Sequence, residues 1–400
     1  METCDVLIVG GGLAGASLAL ALKPLGLSVV VVETLTPETK LASPAGDRAL
    51  ALAQGSVEIF QQLEVWSQVV SLATPIRHIH VSDQGHFGKT RIHAGELGVP
   101  ALGYVIPARD LERAVVDVCD RRSVRFICPA EVTGLQVQGD HAAVRLNCHG
   151  ETRLYQTQLV VAADGGNSKV RQWMGIGQQV HDYSQVALVS MVESERHHQN
   201  TAYERFTPSG PLALLPLPKR RNALIWTQGK RQARKLLSLP SRDIESRLQH
   251  AFGWKLGRLK LVAPIRGFPL RLIRAERLFA ERVAIVGNAA HQLHPVAGQG
   301  FNLGLRDVMV LARLLEDQQR RNGNLGALGL LERYAKARLD DHDRIISFSD
   351  GLIRWFSLTA PISALGRNLG LLALDHIPRL KRWFSYQAMG LSQQYNSVNR

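Results

Sequence analysis

The N-terminal segment CDVLIVGGGLAGASLALALKPLGLSVVVVE, residues 4–33, constrains the fold more than any other part of the chain. It reads as an apolar strand, a G-x-G-x-x-G turn, a helix of small apolar residues, and a second strand that ends in an acid. This order is that of a βαβ unit in a parallel sheet. Gly10 permits the tight turn, Gly12 lets the backbone approach a pyrophosphate, and Gly15 lets the helix pack on the strand. The segment therefore predicts a dinucleotide site.

The acid at the end of the second strand narrows the choice of dinucleotide. Glu33 can accept hydrogen bonds from the ribose hydroxyls of adenosine, which favours FAD or NAD over the phosphorylated ribose of NADP. The helix N-terminus offers free N–H groups and positive partial charge to the phosphates. The motif alone does not separate FAD from NAD. The residues predicted to contact the dinucleotide here are Gly10, Gly12, Leu13, Ala14, Gly15 and Glu33.

Two later segments also read as a strand followed by a glycine-bearing turn. LVVAADGGNSKVR, residues 159–171, ends its apolar run at Asp164-Gly165, a pair that is also common in ordinary turns. GNAAHQLHPVAGQGFNLGLRD begins at Gly287, after the apolar run VAIV, and leads into a helical pattern. A loop this rich in Gly and Ala can lay its peptide edges against a flat ring, and the N–H groups at the following helix start favour developing negative charge. These properties suit the pyrimidine edge of a reduced flavin.

The three motifs, in this order and at these separations, resemble those of the class A flavin-dependent aromatic hydroxylases. The segments GNAAHQLHPVAGQGFN, ERFTPSGPLALLPL and HDYSQVALV are most similar to the ubiquinone-biosynthesis group, and within it to the 2-polyprenyl-6-methoxyphenol hydroxylase branch. The resemblance implies an α/β protein with the para-hydroxybenzoate hydroxylase fold. Such a fold has a discontinuous, Rossmann-like FAD-binding domain, an antiparallel-sheet substrate domain and a helical C-terminal segment.

The resemblance also implies further cofactor contacts. An arginine at position 48 would reach the FAD pyrophosphate with its rigid guanidinium fork, and Arg109 would face FAD from the start of a helix. The family usually has Gly-Asp where this chain has Gly287-Asn288. An asparagine still accepts a hydrogen bond from a ribityl hydroxyl, but it removes a negative charge beside the flavin. The other positions implied to contact FAD are Asp164, Gly165, Asn288, Pro295, Gly298, Gln299, Gly300, Phe301 and Asn302.

The activity implied by the resemblance is hydroxylation of the aromatic ring of a polyprenylated phenol in ubiquinone biosynthesis. NADPH or NADH would reduce FAD transiently, and the reduced flavin would react with O₂ to a C4a-hydroperoxide that attacks the ring. Phe206, Leu214 and Pro216 are candidate substrate contacts. The catalytic base stays unassigned, with His294 as a weak candidate. Alternatives are another ring position, a soluble phenol, a flavin oxidase, or a non-catalytic FAD-binding component of a complex of ubiquinone-biosynthesis proteins.

The charge of the chain bears on its partners. Its formal net charge is +14 at pH 7, which suits an anionic membrane surface, nucleic acid, or a solvated basic surface without a specific partner. Nucleic acid is not expected, because the aromatic residues do not interleave with a basic cluster. A polyprenylated substrate lives in the bilayer, so we expect a cytoplasmic protein, peripheral on the inner face of a bacterial membrane. Neither a signal peptide nor a spanning segment is predicted.

The segment boundaries follow from the motifs. We expect the FAD-binding domain over residues 1–75, 100–180 and 275–345, and the substrate domain over 76–99 and 181–274. Residues 346–400 mix apolar and basic residues in helical patterns, which fits either a membrane-interface segment or a cap on the core. The four cysteines lack metal-ligand spacing, no metal site is predicted, and the triplet Asp341-His342-Asp343 reads as a polar helix face.

Overall fold

The computed structural model describes residues 1–42, 46, 48–293, 298–357 and 361–390. The strands, in chain order, are β1 (Glu2–Val9), β2 (Val29–Val32), β3 (Ala49–Ala53), β4 (Thr74–Ile76), β5 (His78–Asp83), β6 (Lys89–His93), β7 (Gly103–Pro107), β8 (Arg125–Ile127), β9 (Glu131–Gln138), β10 (His141–Cys148), β11 (Glu151–Ala162), β12 (Gln178–Ser194), β13 (Thr201–Thr207), β14 (Gly210–Pro216), β15 (Arg221–Gly229), β16 (Leu259–Leu261), β17 (Arg266–Ala275), β18 (Phe279–Ala280), β19 (Val283–Ile285) and β20 (His291–Gln292). The α-helices are α1 (Leu13–Leu22), α2 (Pro37–Ala42), α3 (Gln54–Gln62), α4 (Trp66–Val69), α5 (Ala108–Arg121), α6 (Lys169–Trp173), α7 (Lys230–Leu237), α8 (Ser241–Phe252), α9 (Gln299–Arg320), α10 (Leu328–Ser357), α11 (Pro361–His376) and α12 (Pro378–Ala388).

The first large sheet is built around three parallel strands that each lead into one of the sequence motifs. Its order is β18-β19-β11-β1-β2-β8, and β9 and β10 extend it beside β11. Strands β1, β11 and β19 run parallel to one another, and their apolar runs are buried on both faces. The carboxyl ends of parallel strands meet at one edge of a sheet, so the loops after Val9, Ala162 and Ile285 open at the same edge.

The second large sheet has two faces with different coverings. Its order is β20-β17-β12-β15-β14-β13-β5-β6, with β16 beside β12. On what we call the outer face, the side chains of Leu188, Leu214, Leu224 and Trp226 pack with helices α7 and α8. The opposite, inner face carries Ala202, Leu215, Ala223 and Met191, which pack with Leu102 and Val105 near β7 and with Met389 after α12. The strict alternation of side chains along each strand produces this separation.

The C-terminal helices close the molecule against both sheets. Helix α9 packs on α1, and α10 packs on α9. Helix α11 lies along β6, the edge strand of the second sheet, where Thr90 Oγ1 donates to Leu371 O at 2.6 Å and Arg91 N donates to Asp375 Oδ1 at 2.8 Å. A helix in this position satisfies part of the exposed edge. Within the described part of the chain, none of the helices combines the length and apolar character needed to cross a bilayer.

Candidate functional site

The three motifs lie against one another at the shared edge of the first sheet. Gly10 has φ +102°, and a Cβ on it would lie 2.4 Å from Ala163 O, directly before the second motif. A Cβ on Gly287 would lie 3.1 Å from Ala14 Cβ, so the third motif touches the start of α1. A Cβ on Gly15 would meet Gly10 O at 1.9 Å, which excludes any side chain there. The glycines therefore permit backbone-to-backbone contact between segments that are far apart in sequence.

The turn of the first motif has the geometry of a phosphate cradle. A Cβ on Gly12 would meet no atom of the described residues within 4 Å, so these residues leave space beside Gly12 at the α1 N-terminus. A narrow groove at this point is lined by Gly11, Gly12, Leu13, Ala16, Lys40, Glu112, Val115 and Val116. Free amides of a helix start, together with a cation, are the groups that a pyrophosphate needs. An absent side chain and an unfilled groove fit the ADP part of a dinucleotide.

Glu33 is engaged more fully than the sequence indicates. Its Oε2 accepts from Gly11 N at 2.8 Å and from Lys40 Nζ at 2.6 Å, and its Oε1 accepts from Leu35 N at 2.9 Å. Burial opposes ionisation, but the hydrogen bonds from Lys40 and Leu35 hold the pKa of the Glu33 carboxyl below its usual value. A ribose hydroxyl must therefore share this carboxylate with Lys40, a residue that sequence reasoning missed.

The two predicted arginines are brought to one place by the small sheet of β3, β7 and β4. Ala108 N donates to Arg48 O at 2.9 Å, which places Arg109 beside the backbone of Arg48. The Arg48 side chain is exposed, whereas Arg109 packs against Gly46. Burial raises the pKa of Glu112, and the charges of Lys40 and Arg48 oppose that rise, so both cations lie near the groove. Lys40 and Arg48 are side chains of the kind that bind a pyrophosphate.

The second motif ties the first sheet to the third motif. Arg171 is 2% exposed, and its Nη1 donates to Ala289 O at 2.7 Å. Ser168 Oγ accepts from Arg171 N at 3.0 Å and so caps α6. Asp164 Oδ2 accepts from Val170 N at 3.3 Å, while Asp164 Oδ1 is buried and has no hydrogen-bond partner in the described part of the chain. A buried acceptor of this kind fits a ligand hydroxyl or N–H group, because an unsatisfied buried polar atom is costly.

The residues of the third motif fall into two groups, those exposed to a ligand and those whose side chains support the loop. Asn288 is exposed at the loop surface, where it is open to a ligand. The Asn302 side chain is used internally: its Oδ1 accepts from Ala53 N at 2.9 Å and its Nδ2 donates to Gly298 O at 2.7 Å. The Phe301 ring stacks on Phe60 with centroids 6.2 Å apart. The side chains of Asn302 and Phe301 therefore support the loop.

Several predicted residues need separate mention. His294 and Pro295 lie outside the described residues. Gln299 is buried at the start of α9, and Gly165, with φ +84°, forms the turn after β11. The structure does not bring the three candidate substrate residues together. Phe206 lies on the inner face, on the same side of β13 as Ala202, and is opposite Pro211 of β14. Leu214 packs with α7 and α8 on the outer face, because odd and even positions of β14 point in opposite directions. Pro216 shares the parity of Leu214.

The prediction of a polar helix face at residues 341–343 is wrong for its first two members. His342 and Asp341 are buried, and His342 Nε2 donates to Asp307 Oδ1 at 2.7 Å. Asp307 also accepts from His291 Nε2 at 2.9 Å and from Arg338 Nε at 2.6 Å. The ligand-type atoms of His291, Asp307 and His342 lie within 4.8 Å of one another, as in a metal site. The Arg338 guanidinium, however, already supplies the positive charge that a cation would bring to Asp307.

Comparison with known proteins decides the family. A family model described as FAD binding domain matches residues 3–349. The chain belongs to this FAD-binding family. It is 38% identical over 390 residues to the ubiquinone hydroxylase UbiL of Rhodospirillum rubrum, with 97% of this chain and 90% of that protein covered. It is 32% identical over 395 residues to the 3-demethoxyubiquinol 3-hydroxylase of Escherichia coli K12, with 98% and 99% covered.

Solved structures share the architecture of this FAD-binding protein at lower identity. The p-nitrophenol 4-monooxygenase PnpA from Pseudomonas putida DLL-E4 superposes with a TM-score of 0.81 at 17% identity, covering 98% of this chain and 99% of that one. PqsL of Pseudomonas aeruginosa, described as a probable FAD-dependent monooxygenase, gives 0.77 at 24% identity, with 93% and 100% covered. The predicted fold class, the FAD cofactor, and the class A flavin monooxygenase of the ubiquinone-biosynthesis group are confirmed.

Proposed function

We propose that this enzyme hydroxylates the aromatic ring of a polyprenylated phenol in ubiquinone biosynthesis, with NADPH or NADH as reductant and O₂ as oxidant. The observation that carries the proposal is an apolar inner face joined to the third motif. Strand β20 of that motif pairs with β17, with His291 opposite Arg274, so the flavin loop continues the sheet. A flat, apolar ring on this face would therefore lie beside the predicted flavin edge. The named activities of the two relatives support the same substrate class.

The residues of the chain would hold FAD at both ends. The amides at Gly12 and Leu13, with Lys40 and Arg48, fit the pyrophosphate, and the loop from Asn288 to Gly300 fits the ribityl chain and ring. Bound FAD, once reduced, supplies the activation of O₂. The protein's task is then to orient the phenol ring and to keep water away from the reacting atoms.

We also propose peripheral binding to an anionic membrane through the hairpin of α11 and α12. At its end, Ile377, Leu380 and Trp383 expose 49%, 37% and 46% of their surface. Arg379 and Arg382 are exposed among them. Apolar and aromatic side chains flanked by arginines are the composition of a membrane-interface helix, and each nearby cation adds about 1 kcal/mol on an anionic surface. Such binding would bring the enzyme to a substrate that is dissolved in the bilayer.

The proposed activity is tested by product analysis under isotopically labelled O₂. The FAD-loaded enzyme, NADPH or NADH, and a panel of phenols with and without prenyl chains are incubated, and the products are weighed by mass spectrometry. We expect one labelled oxygen in the ring of prenylated phenols. Label only in soluble phenols favours the soluble-substrate alternative. Reduction of FAD without label in any product favours the non-catalytic component or an oxidase.

A further inference from the structure

A single carboxyl group interrupts an apolar row on the inner face of the second sheet. The row crosses neighbouring strands in direct register: Glu204 on β13 lies opposite Val81 on β5 and Ala213 on β14. Ala213 is opposite Ile225, and Ile225 is opposite Val189 on β12. Neighbouring strands lie about 4.8 Å apart, so each of these side chains borders the next. Glu204 therefore stands between apolar neighbours on both sides.

The Glu204 row is less closely covered than the row beside it. Glu204, Val81, Ile225 and Val189 lie in the middle of the sheet, yet each keeps part of its surface accessible. The adjacent row, from Ala202 toward Met191, packs with residues of α12 and the small sheet. Among the described residues, the inner face is thus covered at one row and partly accessible at the next. An aromatic ring could lie against the partly accessible row.

Glu204 has neither a hydrogen bond nor an ion pair among the described residues. The nearest charged pair on the inner face is Asp83 with Arg367, whose Nε donates to Asp83 Oδ2 at 3.0 Å, and these two charges offset each other. Asp83 lies opposite Phe206, one row away from Glu204. From the helices, Asp350 on α10 accepts from Tyr183 Oη at 3.3 Å, and Tyr386 on α12 is partly buried. Burial alone raises the pKa of Glu204 to about 7.

A carboxyl held among apolar residues without a partner among the described residues is costly, and a ligand that hydrogen-bonds it would offset this cost. A phenol is a poor nucleophile for oxygen until its O–H proton is removed, and a base works best when its pKa is near the working pH. We propose that Glu204 is the general base that accepts the phenolic proton of the substrate. The phenol O–H bond breaks, a Glu204 Oε–H bond forms, and the electron pair stays on the phenolate oxygen and ring. The proton leaves to solvent when product departs.

This assignment rests on the proposed function, and its test separates the two. A methoxyphenol with a short prenyl chain is bound to the oxidised, FAD-loaded enzyme without reductant, and the infrared C=O stretch of the protonated Glu204 carboxyl is recorded across a pH series. In wild-type enzyme this band should appear as the pH falls through about 7, and binding of the phenol should shift it, because the phenol O–H contacts this carboxyl. Glu204→Gln, which keeps the size and removes the proton acceptor, should lack the band and its shift.

Turnover gives the second readout. Glu204→Gln should lower kcat at neutral pH by about 10²–10⁴-fold while KM and FAD content change little. Glu204→Asp should recover part of the loss. Glu193→Gln, at an exposed glutamate of β12, is the matched control and should leave both readouts unchanged. The melting temperature of Glu204→Gln should equal or exceed that of wild type, because the substitution removes a buried group that favours its neutral form.

The outcomes are distinguishable. A Glu204 carboxyl band that the phenol does not shift in wild-type enzyme overturns the assignment. A kcat of Glu204→Gln within about threefold of wild type overturns it as well, since general base catalysis contributes far more than this. If the phenol shifts the Glu204 band but wild-type enzyme forms no hydroxylated product, the contact of Glu204 with the phenol stands and the proposed function fails.

Discussion

Gly298 and Gly300 lie two positions apart in the third motif, and the requirement for glycine has a different cause at each position. Gly298 has φ +62°, and a Cβ there would lie 2.9 Å from Ala51 Cβ, so the fold itself excludes a side chain. Among the described residues, a Cβ on Gly300 would meet only Leu293 Cβ, at an ordinary 3.7 Å. These residues would therefore accept an alanine at position 300. We infer that a ligand facing the loop requires the glycine.

Gly300→Ala should separate cofactor binding from folding. The residue lies in the first turn of α9, where alanine favours the helix by about 0.5–1 kcal/mol over glycine, so the melting temperature of the apoprotein should not fall. FAD affinity should fall at least tenfold, because the methyl group occupies the approach of the ring. The checks are flavin absorbance per chain and an FAD titration. A Gly300→Ala protein that is purified with a full complement of flavin contradicts the assigned loop.

Gly298→Ala is the comparison for this prediction. It should lower the melting temperature of the apoprotein, since the left-handed backbone and the contact with Ala51 both oppose a side chain. The same tenfold loss of FAD in both variants, with equal melting temperatures, would show that the two glycines do not differ as described.

At the scale of elements, a buried polar network fixes the third motif to α9 and α10. Asp307 on α9 accepts hydrogen bonds from His291, from His342 and Arg338 on α10, and from Gly287 N at 3.3 Å. Burial opposes ionisation of Asp307, but the two histidines hold its pKa well below the usual value. The network therefore keeps the aspartate charged at neutral pH and holds both ends of the loop in register with the helices.

Asp307→Asn should destabilise the protein by about 3–5 kcal/mol at neutral pH, because Arg338 loses the charge it pairs with inside the core. A group with a depressed folded pKa contributes stability above its unfolded pKa, and that contribution is lost as the pH falls toward the folded pKa. The difference between wild type and Asp307→Asn should therefore shrink in acid. Urea unfolding at neutral and acidic pH measures it.

Asp343→Asn, on α10, is the control, because Asp343 forms an exposed pair with Arg274. It should change stability by less than about 1 kcal/mol, as surface ion pairs do. A loss of similar size in the two variants, or a constant loss for Asp307→Asn at all pH values, would contradict the described network.

Sequence patterns predicted the parts of this fold that rest on local chemistry. The apolar run before Gly10 and the spacing of Gly12 and Gly15 define the βαβ unit without tertiary information. Contacts between residues that are distant in the sequence could not be predicted by the same reasoning. Lys40 reaches Glu33 only because α2 folds back over the turn, and no periodicity in the sequence predicts that contact. Leu214 was assigned to the substrate because its motif was recognised, but the face it occupies depends on strand register.

Buried polar groups were the second kind of residue that sequence reasoning missed. Asp307 and His342 lie in polar stretches that resemble solvated helix faces, and only the packing of α9 against α10 places them inside. Glu204 stands in the quoted segment ERFTPSGPLALLPL, where a charged residue in a strand pattern suggests exposure.

At the scale of the whole molecule, the candidate flavin site and the proposed membrane surface lie on different elements. The first sheet supplies three motif loops, the second sheet supplies the inner face, and α10 to α12 continue from the flavin-side network to an exposed hairpin. The net charge of +14 would attract the proposed membrane surface to an anionic bilayer. The hairpin would bring its exposed apolar end to the bilayer, in which the proposed substrate is dissolved.

Flotation with anionic and neutral vesicles tests this surface. The wild-type protein should float with anionic vesicles at low salt and less so at high salt, because surface attraction is screened. Trp383→Ser should reduce flotation several-fold. Trp254→Ser, at a tryptophan outside the hairpin that is 65% exposed, should leave it unchanged. Equal loss in both variants, or no binding by wild type at low salt, contradicts the proposed membrane surface.

The central claim is that motifs from both ends of the chain hold the two ends of one FAD molecule. Reconstitution of the apoprotein with FAD and with FMN tests it most directly, since FMN carries the flavin ring without the ADP part. We predict one FAD bound per chain and much weaker binding of FMN, because the cradle at Gly12, Lys40 and Arg48 would be empty. Equal affinity for both, or a protein that stays colourless with either, would contradict the claim.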